Sequence, residues 1–183
     1  MSAGGAIVDG DGAGINITGN SASLTAATNV GLAADPLETA VDTLNATSNA
    51  GGVYITETDG LTVNSVVANG GNVAISNSTG DMVINEISAA GSIDLLAAGG
   101  SIFDGNGAAN NLTAVADSNL RALGGVIGLS TDPIEVNINP GLLGVAATAQ
   151  IGGVSVHING FADQHADVTQ FTAGRNHFQF SIA

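Results

Sequence analysis

A phrase near the start of this chain returns about halfway along it. "AGGAIVDGDGAGINIT" (residues 3–18) comes back as "AGGSIFDGNGAANNLT" (residues 98–113), an offset of 95. After two single-residue insertions the register resumes. "VGLAADPLETAVD" (residues 30–42) lies against "IGLSTDPIEVNIN" (residues 127–139) at an offset of 97, and "GGVYITETDG" (51–60) against "GGVSVHING" (152–160). Three blocks in the same order mark a duplicated unit of about 95 residues, with gaps where surface loops belong. Such a chain must fold into something that can be extended by adding more of itself.

A finer rhythm runs inside each unit. "GVYIT", "LTVNSV", "NVAIS", "MVINEI", "SIDLLA" and "SIFD" follow one another roughly every ten residues between 52 and 104. Each is short, rich in β-branched or other aliphatic residues, and apolar at alternate positions, which predicts a strand. Between them stand "TDG", "NGG", "STGD" and "AAGG", residues that turn a chain cheaply. The one segment with helical character, "PLETAVDTLNA" (36–46), has "PIEVNINPG" as its repeat mate. That mate is plainly strand, so strand is expected at both.

Evenly spaced short strands suit a sandwich, a barrel or a solenoid. Sandwiches and barrels fill pair-specific cores with large rings, and only 3% of this chain is aromatic although 44% is hydrophobic. A fixed repeat favours the solenoid, in which small aliphatics stack in columns and each coil hydrogen-bonds to the next. At about 20 residues per coil, roughly nine coils and a rod some 40 Å long are expected. The solenoid should occupy residues 1–160, with one copy of the unit at about 3–97 and the other from 98 to 160 or beyond. Residues 161–183 would form a further coil or an end cap. The opening lies in mid-motif, which suggests a piece of a longer protein bearing an initiator Met.

The surface is unusual. Sixteen acids face two bases, Arg121 and Arg175, and only 10% of residues are charged, so Asn, Ser, Thr and Gly must clothe the exterior. A net charge of -14 argues against nucleic acid or an anionic membrane as partner. Without cysteine there is no disulfide framework, thiolate zinc site or cysteine nucleophile.

At this point "AGGSIFDGNG", "IGLSTDPIEVNI" and "VGLAADPLETAVDTLNATSNAGGVYITETDGLTV" together resemble the repetitive shafts of filamentous-haemagglutinin-like bacterial exoproteins. The resemblance covers nearly all of residues 3–160 and rests on glycine punctuation, PLET/PIEVN phrases and Asn/Thr-rich strands. It implies an all-β chain wound as a right-handed parallel β-helix, in an extracellular adhesin at the bacterial cell surface. It brings no catalytic motif. The secretion domain that precedes such shafts has no counterpart here.

Candidate chemistry is sparse. "DGDGAG", with Asp9 and Asp11, and "DGNGAAN", with Asp104 and Asn106, place hard oxygen ligands at alternate positions, as calcium loops do. They lack the bidentate Glu of an EF-hand and the cadence of calcium-binding β-rolls, and a β-turn closing a coil is the reading adopted. No helix follows to make a dinucleotide loop, and neither a P-loop nor a G-x-S-x-G elbow occurs. His157, His165 and His177, with Asp163 and Asp167, have only weak metal-site spacing and read as ordinary surface positions. Phe178, Phe180 and Ile182 alternate as in a strand and hint at a wider coil, a packing site or a cap. Asn16, Asn45, Asn77 and Asn111 each open an N-x-S/T sequon.

The function expected is therefore a non-catalytic structural and binding shaft, with no cofactor and no catalytic, cofactor-binding or metal residues. Its partner would be a glycan or protein receptor on host cells, other bacteria or matrix, without membrane insertion. The alternatives are a filament subunit self-associating end to end or laterally, and a β-helix polysaccharide lyase or hydrolase. The enzyme is poorly served by two isolated arginines and no lysine.

Overall fold

The predicted runs become strands that pair with the coil before and the coil after. The computed structural model describes residues 1–138 and 144–159, together with the strands Asp167–Ala173 and Phe178–Ile182. Among the described residues there is no helix, and all the strand ladders run parallel. The strands are β1 (Ser2–Ala3), β2 (Ile17–Ala26), β3 (Leu37–Ser48), β4 (Val53–Glu57), β5 (Leu61–Ala68), β6 (Val73–Asn77), β7 (Met82–Ile84), β8 (Ile87–Ala89) and β9 (Ile93–Ala97). They continue as β10 (Ile102–Asp104), β11 (Leu112–Ala114), β12 (Ser118–Ala122), β13 (Ile134–Ile138), β14 (Gly144–Ala149), β15 (Val154–Asn159), β16 (Asp167–Ala173) and β17 (Phe178–Ile182). The "PLETAVDTLNA" segment is strand β3, as its repeat mate required.

Three stacked faces make the solenoid. One carries β4, β6, β9, β12, β14 and β16 in succession. The next carries the start of β5, then β7 and β10, and the third the end of β5, then β8, β11 and β13. Residues alternate buried and half-buried along β4, β6 and β9, so identical positions pile up coil on coil. Leu24, Ala46, Val66, Ile87, Leu112 and Val136 form one such column. Val53, Val73 and Ile93 form another. Parallel strands require both their neighbours and a filled interior, and β-branched aliphatics meet both needs.

The solenoid makes about seven turns, not nine. Part of the surplus length sits in the duplicated "GLAADP" and "GLSTDP", and part in the corner between Ile102 and Leu112, which stand beside Met82 and Ile87. Val30 and Leu37 stand beside Val53 and Ile55, so six residues in one coil match the single Tyr54 in the next. The surplus closes into a tight loop in which the Leu32 N–H donates to Asp35 O at 2.9 Å and the Asp35 N–H donates to Leu32 O at 3.1 Å. In the second copy Ile127 and Ile134 stand beside Val154 and Val156, and Leu129 and Asp132 exchange the same bonds at 2.8 and 3.0 Å. Gly31 (φ +66°) and Gly128 (φ +59°) start these loops. A Cβ on either would lie 2.1 or 2.2 Å from the Tyr54 or Ser155 carbonyl oxygen, so no other residue fits.

The two copies do not face the same way. The ladder from Ile7 through Val30, Val53 and Val73 to Ile93 climbs four turns on one face. Ile102, the counterpart of Ile7, lies on the following face between Met82 and Ile127. The duplicated unit thus advances four turns and one face, and its surface features are rotated about the axis by roughly a third of a turn. The strands β16 and β17 extend the parallel stack on β14 and β15.

Candidate functional site

Both Asp-Gly phrases are corner clamps. Asp9 Oδ1 accepts from the Asp11 N–H at 3.0 Å and from Asn16 Nδ2 at 2.6 Å, and Asn16 Nδ2 also reaches Asp11 Oδ1 at 2.9 Å. Asn16 Oδ1 then accepts from the Glu38 N–H on the next coil at 2.9 Å. The second copy repeats each contact. Asp104 Oδ1 accepts from the Asn106 N–H at 2.8 Å and Asn111 Nδ2 at 2.5 Å, and Asn111 Oδ1 accepts from the Glu135 N–H at 2.7 Å. The residues singled out as calcium ligands therefore spend their Oδ1 atoms closing a turn. Among the described residues no group of three or more His, Asp or Glu side chains is gathered to hold a metal ion.

The clamps set local acidity. The Asp11 N–H and the Asn16 amide hold the Asp9 carboxyl down at about 2, while the adjacent Asp9 pushes Asp11 up. In the second copy burial, with the charges of Asp104 and Asp132 added, lifts Glu135 to about 7. Asp132 is raised in turn by Asp104. One carboxylate oxygen each of Asp9, Glu38, Asp104 and Glu135 is buried without a hydrogen-bond partner, so the same two positions are left short of a partner in both copies.

Asparagines tie other coils together as well. Asn64 Nδ2 donates to Asn45 Oδ1 at 2.7 Å and Asn85 Nδ2 to Asn64 Oδ1 at 3.2 Å, an external amide ladder. This arrangement decides among the four sequons. Asn77 and Asn111 are fully buried, and both ends of the Asn16 amide are engaged in its clamp. Asn45 alone of the four lies half-buried on the outside with its nitrogen clear of such a clamp. His157 lies on β15 in register with Glu135; His165, His177 and Asp163 fall outside the described residues, and Asp167 begins β16. Phe178, Phe180 and Ile182 lie on strand β17, as their alternation predicted.

One grouping is invisible in the linear sequence. On the outward side of the β4–β12 face, Tyr54, Ala74, Asp94 and Asn119 form one file, and Thr56, Ser76, Leu96 and Arg121 the file beside it. Ala74 and Ser76 are small, so the surface sinks between the Ala33–Pro36 edge of the first loop with Tyr54 at one end and Asp94 with Arg121 at the other. The result is a groove of about 130 Å³. Arg121 Nη2 reaches Asp94 Oδ1 at 3.4 Å, and its Nε is buried without a partner. The chain has a single Tyr and two Arg in all, and that Tyr54 and Arg121 line one groove was legible only once the register of the coils was known.

The class that the fold defines is the parallel β-solenoid. Comparison with protein-family models, curated proteins and solved structures finds no match to this chain.

Proposed function

We propose that this chain is a shaft segment of a large secreted bacterial surface adhesin, a stiff β-solenoid that carries binding surfaces and performs no catalysis. The observation that carries this reading is the unbroken parallel stack through both copies of the duplicated unit, each clamped to its next coil by the same Asp–Asn pair. Stacks of this kind lengthen by adding coils without redesigning a core, which is what a reach-giving shaft needs. The resemblance of its phrases to filamentous-haemagglutinin-like shafts supports the extracellular setting. The two copies lie on different faces, so loop tips bearing the exposed Leu32 and Leu129 are offered around the rod and not along one strip.

The test is the gene on either side of this segment. A secretion domain upstream and many further coils of the same phrasing are expected. A flanking catalytic domain with no further coils would contradict the reading, as would turnover of pectin, alginate or hyaluronan by the purified chain. Electron micrographs should show separate short rods; long fibres at low concentration would favour the filament subunit.

A further inference from the structure

We propose that the groove between Tyr54 and Arg121 is a subsite for one pyranose ring of a neutral glycan. This deepens the binding half of the adhesin reading and rests on it. An enclosed cavity of about 150 Å³ takes up benzene, and the groove, about 130 Å³ and open to solvent on its outer side so that ring hydroxyls can project, is of the order of one six-membered ring. Its floor and walls supply the three elements that sugar recognition uses. Tyr54 is the aromatic wall. Its ring lies against the coil backbone at Gly52, where an added Cβ would come within 2.6 Å of a ring carbon, so the platform is held in place before any ligand arrives. The apolar C–H face of a pyranose has a rigid surface to rest on there.

Asp94 stands two coil spacings from Tyr54, about 10 Å between backbones, and the Arg121 head reaches back to it at 3.4 Å, so both bear on the same ring. Asp94 accepts hydrogen bonds from vicinal hydroxyls. Arg121 spends a single long contact on Asp94, and its side chain stays 42% exposed, so the guanidinium head has further N–H donors to offer a sugar oxygen. The hydroxyls of Thr56 and Ser76, 3.5 Å apart, line the floor. Charge selects the class of glycan. The Asp94–Arg121 pair is neutral within itself, and the rest of the chain repels anions at a net -14. Uronic or sialylated sugars are therefore disfavoured and neutral hexoses fit.

The test uses the full chain, which has no Trp and a single Tyr, so its intrinsic emission reports on Tyr54 alone. Titration with cellotriose, maltotriose and N-acetyllactosamine should give a saturable change in that emission with at least one of them. Sialyllactose and a hyaluronan tetrasaccharide should give a change at least tenfold weaker. By calorimetry Tyr54→Ala and Arg121→Ala should each weaken binding at least tenfold, while Tyr54→Phe retains it, all three melting within a few degrees of the parent. No saturable change with any neutral sugar, preference for the acidic ones, or binding indifferent to both alanine substitutions overturns the subsite. A flanking gene full of further coils would leave the shaft reading standing even then.

Discussion

Asn111 and Glu135 stand opposite one another on successive coils and exchange two hydrogen bonds. The Asn111 N–H donates to the Glu135 carbonyl at 2.9 Å, and the Glu135 N–H donates to Asn111 Oδ1 at 2.7 Å. Asn16 and Glu38 do the same at 3.0 and 2.9 Å. The side chain thus imitates a backbone carbonyl where the chain leaves the ladder to turn a corner, and a buried N–H that would lose its partner keeps one.

Replacing this residue should be costly where it is buried. Asn111→Ala leaves the Glu135 N–H and the Asp104 carboxylate short of partners and should lose about 3 kcal/mol in urea unfolding. Asn111→Asp should lose at least as much at neutral pH, because it sets a second carboxylate against Asp104. Asn16 is exposed, and Asn16→Ala should cost about 1 kcal/mol. Equal losses at the two sites would mean that the clamp does not draw its strength from burial.

A file of polar residues runs inside the otherwise aliphatic core. Thr39, Glu57 and Asn77 are stacked in register, all fully buried, before the column turns to Ala97 and Ala122. Glu57 accepts from Thr39 Oγ1 at 2.6 Å, the Thr58 N–H at 2.9 Å and the Val41 N–H at 3.1 Å. Asn77 donates to Asp81 O at 3.1 Å but has a buried, unpartnered Oδ1. Glu57→Ala strands the Thr39 hydroxyl and the Val41 N–H, while the Thr58 N–H keeps the Thr39 carbonyl at 3.0 Å, and should cost about 3 kcal/mol. Asn77→Ala removes an orphaned oxygen along with its one bond and should change stability by less than about 1 kcal/mol. Urea midpoints of the two variants decide the matter, and a reversed order would contradict the hydrogen-bond assignment.

Much of this architecture was legible in the sequence. Strict alternation in "GVYIT", "NVAIS" and "SIDLLA" marked β4, β6 and β9, and the duplicated phrase exposed the strand hidden in "PLETAVDTLNA". The number of coils was not legible, because coil length varies: "GLAADP" and "GLSTDP" look like ordinary turns yet loop out opposite a single residue, and the Ile102–Leu112 corner is longer than the Met82–Ile87 corner beside it. The clamp partners Asn16–Glu38 and Asn111–Glu135 lie 22 and 24 residues apart, a separation set by coil length, which varies. For the same reason Tyr54, Asp94 and Arg121 gave no local signal of meeting.

Acidity should have a two-sided effect on stability. Glu135 is raised from 4.5 to about 7 in the folded chain, so the folded state prefers it protonated. Its contribution is present in full below pH 4.5 and is lost as pH rises through 7. Asp9 is lowered from 3.8 to about 2, so its contribution is present above 3.8 and is lost as pH falls through 2. Thermal midpoints should therefore peak between about pH 4 and 5 and decline on both sides. Glu135→Gln should flatten the alkaline arm and Asp9→Asn the acid arm. An alkaline decline unchanged in Glu135→Gln would assign it instead to general repulsion among the carboxylates.

The most direct test of the stacked-coil architecture is a set of distances along one outward file. Thr56, Ser76, Leu96, Arg121 and Thr148 occupy the same position on five successive coils. The chain has no cysteine, so paired spin labels can be placed without background. Dipolar EPR between position 148 and positions 96, 76 and 56 should give backbone separations of about 10, 14 and 19 Å, one strand spacing of 4.8 Å per coil. Distances that fail to grow by a constant step, as they would across a two-layer sandwich or around a closed barrel, would contradict the solenoid and the shaft built on it.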